Sequence, residues 1–244
     1  MQILIFNDPL SLANACADRI TDLIARKPDA VLGLATGASP VGTYAELIRR
    51  YEAGKVSFRS VRTFNLDEYC DLPKADPNSY NSFMWDKLFG HVDIPAENVH
   101  IPDGNAPDLA AQCEAYDQMI RDAGGIDLQL LGIGRNGHIG FNEPADAFTK
   151  GTHIAALTES TIEANSKYFT ENPMPKSAIT MGVGSIFAAK SIILIATGKK
   201  KAEAIRNTVC GDISPSRCPA SILQLHPDVT LLLDPEAAAL LKTS

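Results

Sequence analysis

The sequence predicts an α/β fold: an open, mostly parallel, doubly wound (Rossmann-like) sheet with helices on both faces. Short, continuous apolar runs recur along the chain, and amphipathic stretches of helical length separate them. No Pro/Gly/Ser linker, charge block or internal repeat divides the 244 residues, so a single domain over 1–244 is expected.

The first run, QILIF at 2–6, reads as a strand followed by a helix over 10–26. AVLGLA at 30–35 is apolar throughout, as a strand covered on both faces should be. VRTFNL at 61–66, IDLQLLGIG at 126–134, SIILIAT at 191–197 and VTLLLD at 229–234 follow the same pattern. Helical periodicity fills the intervals at 40–53, 79–90, 107–123, 199–210 and 235–242. In such sheets ligands bind outside the carboxyl ends of the strands, so reactive residues should gather there.

Composition removes several function classes. A net charge of −7 without a basic face argues against nucleic acid as a partner, and an anionic substrate would need a local positive site. No apolar run reaches the roughly 18–20 residues that cross a bilayer, and the N-terminus lacks a signal-peptide pattern. Cys16, Cys70, Cys113, Cys210 and Cys218 are scattered, odd in number and without CxxC spacing, so neither disulfides nor zinc is expected. Together these features predict a cytoplasmic protein with reduced thiols, no metal and no membrane contact.

Three strand ends carry candidate chemistry. After AVLGLA come Thr36, Gly37, Ala38 and Ser39, with Ser39 expected as N-cap and Pro40 as the first helical residue. The backbone N–H groups of that turn, with the helix dipole, can face an anion. Taken alone, it reads first as an ordinary strand-to-helix connection. After VRTFNL come Asp67 and Glu68; a partly desolvated carboxylate there would be raised toward the range of a general base, while the bland alternative is an acidic turn. After IDLQLLGIG the chain reads Arg135-Asn136-Gly137-His138-Ile139-Gly140-Phe141-Asn142-Glu143-Pro144. His138 sits in this glycine-rich loop with Glu143 five residues on, a setting for proton transfer rather than for a core histidine.

Lys199, Lys200 and Lys201 open the helix after SIILIAT. Cations at a helix N-terminus oppose the dipole, so a solvated run competes with the reading that at least one meets an anion.

Together the motifs resemble the glucosamine-6-phosphate deaminase family. GLATGASP at 33–40, NLDEY at 65–69, LGIGRNGHIGFNEP at 131–144, ANSKYF at 164–169, ITMGVGS at 179–185 and the lysines at 199–201 carry the likeness, which extends to LQLHPDVT at 223–230. The resemblance implies an aldose-ketose isomerising deaminase (hydrolase class) that turns glucosamine 6-phosphate and water into fructose 6-phosphate and ammonium in amino-sugar catabolism, without a cofactor. It implies that Asp67 moves the C2 proton to C1 and that His138 opens the ring, with Glu143 and Asn136 as partners. Phosphate would be held by Thr36, Gly37, Ala38 and Ser39 with Lys201 and Lys167, the last in a mobile lid around 145–175.

The sequence also departs from the family pattern. Asn136 stands where some members have aspartate, Lys167 where many have arginine, and Ala38 where glycine is usual. ADAFTKGTHIAAL follows the NEP motif, with His153 and Ala155 in place of basic effector contacts, and the sequence ends at Ser244. The expectation is a monomer or small homo-oligomer that N-acetylglucosamine 6-phosphate does not activate. Competing readings are a galactosamine-6-phosphate deaminase, a 6-phosphogluconolactonase-like hydrolase, which has no use for a C2 base, and a sugar-phosphate-sensing domain.

Overall fold

The computed structural model describes residues 1–158, 162, 163, 166, 169 and 173–241. In chain order the strands are β1 (Gln2–Ile5), β2 (Val31–Leu34), β3 (Arg62–Asn65), β4 (Asp67–Tyr69), β5 (Val99–His100), β6 (Leu128–Leu131), β7 (His153–Ala156), β8 (Ser177–Thr180), β9 (Ser191–Ala196) and β10 (Val229–Leu233). The helices among the described residues are α1 (Pro9–Arg26), α2 (Val41–Glu52), α3 (Tyr80–Lys87), α4 (Leu109–Asp122), α5 (Val183–Phe187) and α6 (Ala202–Cys210).

Seven strands form one sheet in the order β1-β10-β9-β6-β2-β3-β5, parallel throughout. Alternate residues of the central strands serve opposite cores, as β9 and β10 show. Ile192, Leu194, Leu231 and Leu233 pack with Tyr116 and Ile120 of α4 and Ile205 of α6. Ile193, Ile195, Leu232, Leu32 and Leu34 pack with Ile20 of α1, Leu47 of α2 and Met84 of α3. Each fully buried aliphatic side chain contributes roughly 1.5–3 kcal/mol, which explains why strands covered on both faces are apolar throughout. The doubly wound α/β expectation holds.

From β2 the chain runs outward through β3 and β5, and then returns to place β6 on the other side of β2. The chain leaves β2 toward β3 and leaves β6 toward β9, in opposite directions, which opens a crevice at the carboxyl ends of β2 and β6. The opposite end of the sheet is closed by Asp127, whose carboxylate accepts Lys27 Nζ at 2.6 Å, Lys190 Nζ at 2.7 Å and the Val31 N–H at 2.8 Å.

A second sheet was not anticipated. It is antiparallel, in the order β4-β8-β7. Leu66 is the crossing point: its N–H donates to Leu34 O in the main sheet, and its carbonyl accepts the Met181 N–H beside β8. Asp67, the next residue, therefore leaves the main sheet at its carboxyl end and pairs in register with Thr180.

Two local expectations need correction. Helix α2 begins at Val41, with Pro40 at the cap position and no side-chain cap, so Ser39 is not the N-cap. The stretch 235–240 forms successive turns rather than a helix. There Asp234 uses its carboxylate on the N–H groups of Ala237 and Gly198, and the chain tightens into an Ala238–Leu241 turn. The expected lid segment contains β7, paired with β8, and its residue Lys167 lies outside the described residues.

Candidate active site

Four strand ends bring the candidate residues to the crevice. Thr36 and Ser39 are half-buried after β2, while Gly37 and Ala38 are exposed. Gly37 has a φ of 86° and faces open space, a conformation that glycine reaches without strain. Across the crevice, a side chain at Gly132 would meet Ser39 Oγ at 3.6 Å, so the turn after β2 abuts the loop after β6.

That second loop is built around the imidazole of His138. A Cβ added to Gly134 would lie 2.4–2.5 Å from the His138 ring atoms, so only glycine lets the ring lie flat there. Gly134 N–H donates to His138 O and closes the loop. His138 Nδ1 stands 3.1 Å from Glu143 Oε1, close enough for an ion pair though not aligned as a hydrogen bond. Asn136 does not touch the ring as a hydrogen-bond partner. Its Nδ2 donates to Glu143 Oε2 at 2.6 Å and its Oδ1 accepts the His138 N–H at 3.3 Å. Thr158 Oγ1 donates to Glu143 Oε1 at 3.3 Å. The amide thus fixes the carboxylate, and the carboxylate faces the ring.

Asp67 faces the same loop, with Oδ2 3.5 Å from the position of a Cβ on Gly140. The residue is 6% exposed, and among the described residues no hydrogen bond reaches its carboxylate. Burial, reinforced by the neighbouring charge of Glu68, lifts its pKa to about 8. Tyr44, Tyr80 and Tyr116 all stand within its field. The hydroxyls of Tyr44 and Tyr116 donate to the carbonyls of Ala35 and Asn65. The hydroxyl of Tyr80 donates to Tyr69 Oη at 3.3 Å and lies beside the Thr36 side chain.

The lysine run divides. Lys199 and Lys200 are exposed, whereas half-buried Lys201 turns inward and donates from Nζ to Ile133 O at 2.5 Å. Burial, and to a lesser degree Arg135, lowers the Lys201 pKa. Arg135 is thus a second cation beside the crevice that the sequence reading did not single out. Tyr80 was missed as well, and Glu68 was read only as one of two acids after VRTFNL. Among the described residues no group of His, Cys, Asp and Glu has the makings of a metal site.

A family model described as glucosamine-6-phosphate isomerases/6-phosphogluconolactonase matches residues 9–232. The chain belongs to this family. Glucosamine-6-phosphate deaminase of Thermoanaerobacter pseudethanolicus is 49% identical over 242 residues, covering 99% of this chain and 95% of that protein. The enzyme of that name from Clostridioides difficile is 49% identical over 240 residues, covering 98% of this chain and 96% of its own. A solved structure of a monomeric glucosamine-6-phosphate deaminase superposes with a TM-score of 0.95 at 48% identity, over 98% of this chain and all of that one. On the other branch of the family, 6-phosphogluconolactonase from Trypanosoma cruzi gives a TM-score of 0.80 at 20% identity, over 99% of this chain and 97% of that one, a likeness of fold alone.

Proposed function

We propose that the protein converts glucosamine 6-phosphate and water into fructose 6-phosphate and ammonium. The observation that carries this reading is Asp67: a buried carboxylate with no hydrogen bond among the described residues, facing the crevice, and with its pKa raised to about 8. Such a group is a strong base toward a carbon acid once ionised, and lactone hydrolysis breaks no C–H bond. Near-half identity to proteins named glucosamine-6-phosphate deaminase, over almost the whole chain, supports the same choice.

In this mechanism the turn Thr36–Ser39 and Lys201 hold the phosphate, and Arg135 adds positive field. Lys167 is proposed as a further phosphate contact. His138 moves a proton between O5 and O1 as the ring opens, and Glu143, fixed by Asn136, steadies the imidazolium. Because the ring is met by a carboxylate rather than by the amide, Asn136 leaves the charge beside His138 in place. Asp67 then takes the C2 proton, giving an enolamine, and returns it to C1. Water adds at the resulting C2 iminium and ammonia departs, leaving the ketose. The segment 145–175 is proposed as a lid over this site.

The test is to incubate the purified protein with glucosamine 6-phosphate or galactosamine 6-phosphate and assay ammonium with the ketose product. Turnover of the first is expected; ammonium from the second alone would reverse the assignment. A monomer or small homo-oligomer is part of the proposal, supported by the likeness to a monomeric deaminase and checked by light scattering. A cytoplasmic location fits five free thiols, and no described helix is long and apolar enough to cross a membrane. We expect hyperbolic kinetics that N-acetylglucosamine 6-phosphate leaves unchanged; sigmoidal kinetics relieved by that compound would oppose this.

A further inference from the structure

Behind Asp67 lies a second acid whose surroundings differ from those of the first. Successive residues of a strand point to opposite sides, so Glu68 turns away from the crevice toward α3. It is 2% exposed, yet its carboxylate is well provided for. Oε1 accepts the N–H groups of Tyr69 at 2.8 Å and Tyr80 at 2.9 Å, and Oε2 accepts that of Asn81 at 2.8 Å. The last two donors are the first N–H groups of α3, which Ser79 Oγ caps through Ser82. Glu68 therefore ties the start of α3 directly to the strand that carries Asp67.

The residue so fixed, Tyr80, forms part of the wall beside the base. Its ring stacks parallel to Phe141 at 6.1 Å, packs on Tyr69 at 4.7 Å, and brings its hydroxyl to Thr36. Phe141 belongs to the His138 loop and Thr36 to the turn after β2, so Tyr80 bridges those two parts of the site. Nothing else in the mechanism requires a buried carboxylate on the far side of β4.

We propose that Glu68 is a positioning residue for the reaction at Asp67: its carboxylate fastens the first turn of α3, and with it Tyr80, against the strand that carries the base, and sets a second negative charge behind that base. The proposal rests on the deaminase reading for its kinetic consequences but not for its electrostatic one. Around Glu68 stand Asp67, Tyr69 and Cys70 on its own strand and just beyond, Tyr80 and Asn81 on α3, and Asp103 from the loop after β5. The nearby cation, Lys74, is engaged with Asp103 at 3.1 Å. Among the described residues the ionisable groups that act on or feel Asp67 are Glu68, Tyr44, Tyr80 and Tyr116, none of them a cation. Burial raises the Glu68 pKa and its three N–H donors pull it back, so the charge it carries is held by hydrogen bonds rather than by a counter-ion.

The experiment compares wild type, Glu68→Gln and Glu68→Asp by kcat and by the acid limb of kcat/KM against pH. In parallel, the pH dependence of stability is followed without ligand, each form against its own Asp67→Asn partner. Glu68→Gln keeps the shape and removes the charge; its acid limb, and the ligand-free titration of Asp67, should fall by about half a pH unit or more. Glu68→Asp keeps the charge and loses the reach to α3; kcat should drop about tenfold while the limb stays in place. A Glu68→Gln limb that stays at the wild-type pH overturns the proposal. Should Glu68→Gln fail to fold, Glu68→Asp decides alone, and kcat within about twofold of wild type overturns it. Absence of turnover in the wild type defeats the deaminase reading only, because the ligand-free titration still reports the effect of Glu68 on Asp67.

Discussion

Asp127 and Asp67 are buried to the same degree at opposite ends of the sheet, 6% exposed each, and they are solvated by the protein in opposite ways. Burial pushes the Asp127 pKa up, but Lys190, Lys27 and the Val31 N–H outweigh it, and the net shift is downward. Asp67 has burial and the charge of Glu68 acting together, no donor among the described residues to offset them, and a pKa of about 8. At the amino ends of the strands a carboxylate is spent on joining β2, β6 and β9. At the carboxyl ends one is left ready to accept a proton. A buried carboxylate alone says little; whether its oxygens are satisfied distinguishes scaffold from chemistry.

The contrast is open to attack by mutation. Asp67→Asn should lower turnover at least about a thousandfold, since it removes the base, and the folded protein should be no less stable at neutral pH because an unsatisfied acid is lost. Steady-state assay with thermal melting checks both halves. Gly134→Ala should come next, at about a hundredfold loss in kcat: its methyl would occupy the place of the His138 ring, and small misplacements of a catalytic group carry costs of this order. Circular dichroism should show the fold retained.

Asp127→Ala should reverse the pattern, with kcat within about twofold of wild type and a loss of about 2 kcal/mol in urea titration. The figure stays modest because Lys27 and Lys190, 37% and 61% exposed, can turn to water when their partner goes. If this variant lost activity as heavily as Asp67→Asn, the division between the two ends of the sheet would collapse.

The remaining effect concerns pH and leaves activity aside. The raised pKa of Asp67 makes a stabilising contribution that is full below its unfolded value near 3.8 and is lost as pH rises through about 8. The lowered pKa of Asp127 has the opposite sign: its contribution is present above the unfolded value and disappears as pH falls through the folded one. Wild type should therefore lose stability relative to Asp67→Asn between about pH 4 and pH 8, and relative to Asp127→Asn only on the acid side. Matched melts across that range test both slopes.

The main sheet was legible because strands covered on both faces are written as mostly apolar runs, clearest in β2, β9 and β10, and the mixed RTFN of β3 follows a valine and precedes a leucine. By contrast, β5 has two residues and no pattern to find. The second sheet was hidden for the same reason: Asp67-Glu68-Tyr69 and His153-Ile154-Ala155-Ala156 are too short and too mixed for periodicity, and they are strands because β8 offers them an edge. At the site, the glycines around His138 and the acids after β3 pointed to the crevice. Direction was not legible: only coordinates tell that Lys201 turns inward while Lys199 stays in water, or that Asn136 grips Glu143 instead of the imidazole. Tyr80, and the separate part of Glu68, were invisible because they lie in contacts between elements, Glu68 to α3 and Tyr80 to Phe141.

The central claim, that Asp67 is the base for the C2 proton, is tested most directly by the fate of that hydrogen. Glucosamine 6-phosphate carrying deuterium at C2 would be incubated with wild type and with Asp67→Asn at saturating enzyme, and the label followed by NMR. The wild type should remove deuterium from C2, delivering part of it to C1 and part to solvent, while Asp67→Asn binds the compound and leaves the label in place. Loss of deuterium at a near-wild-type rate in Asp67→Asn would contradict the assignment.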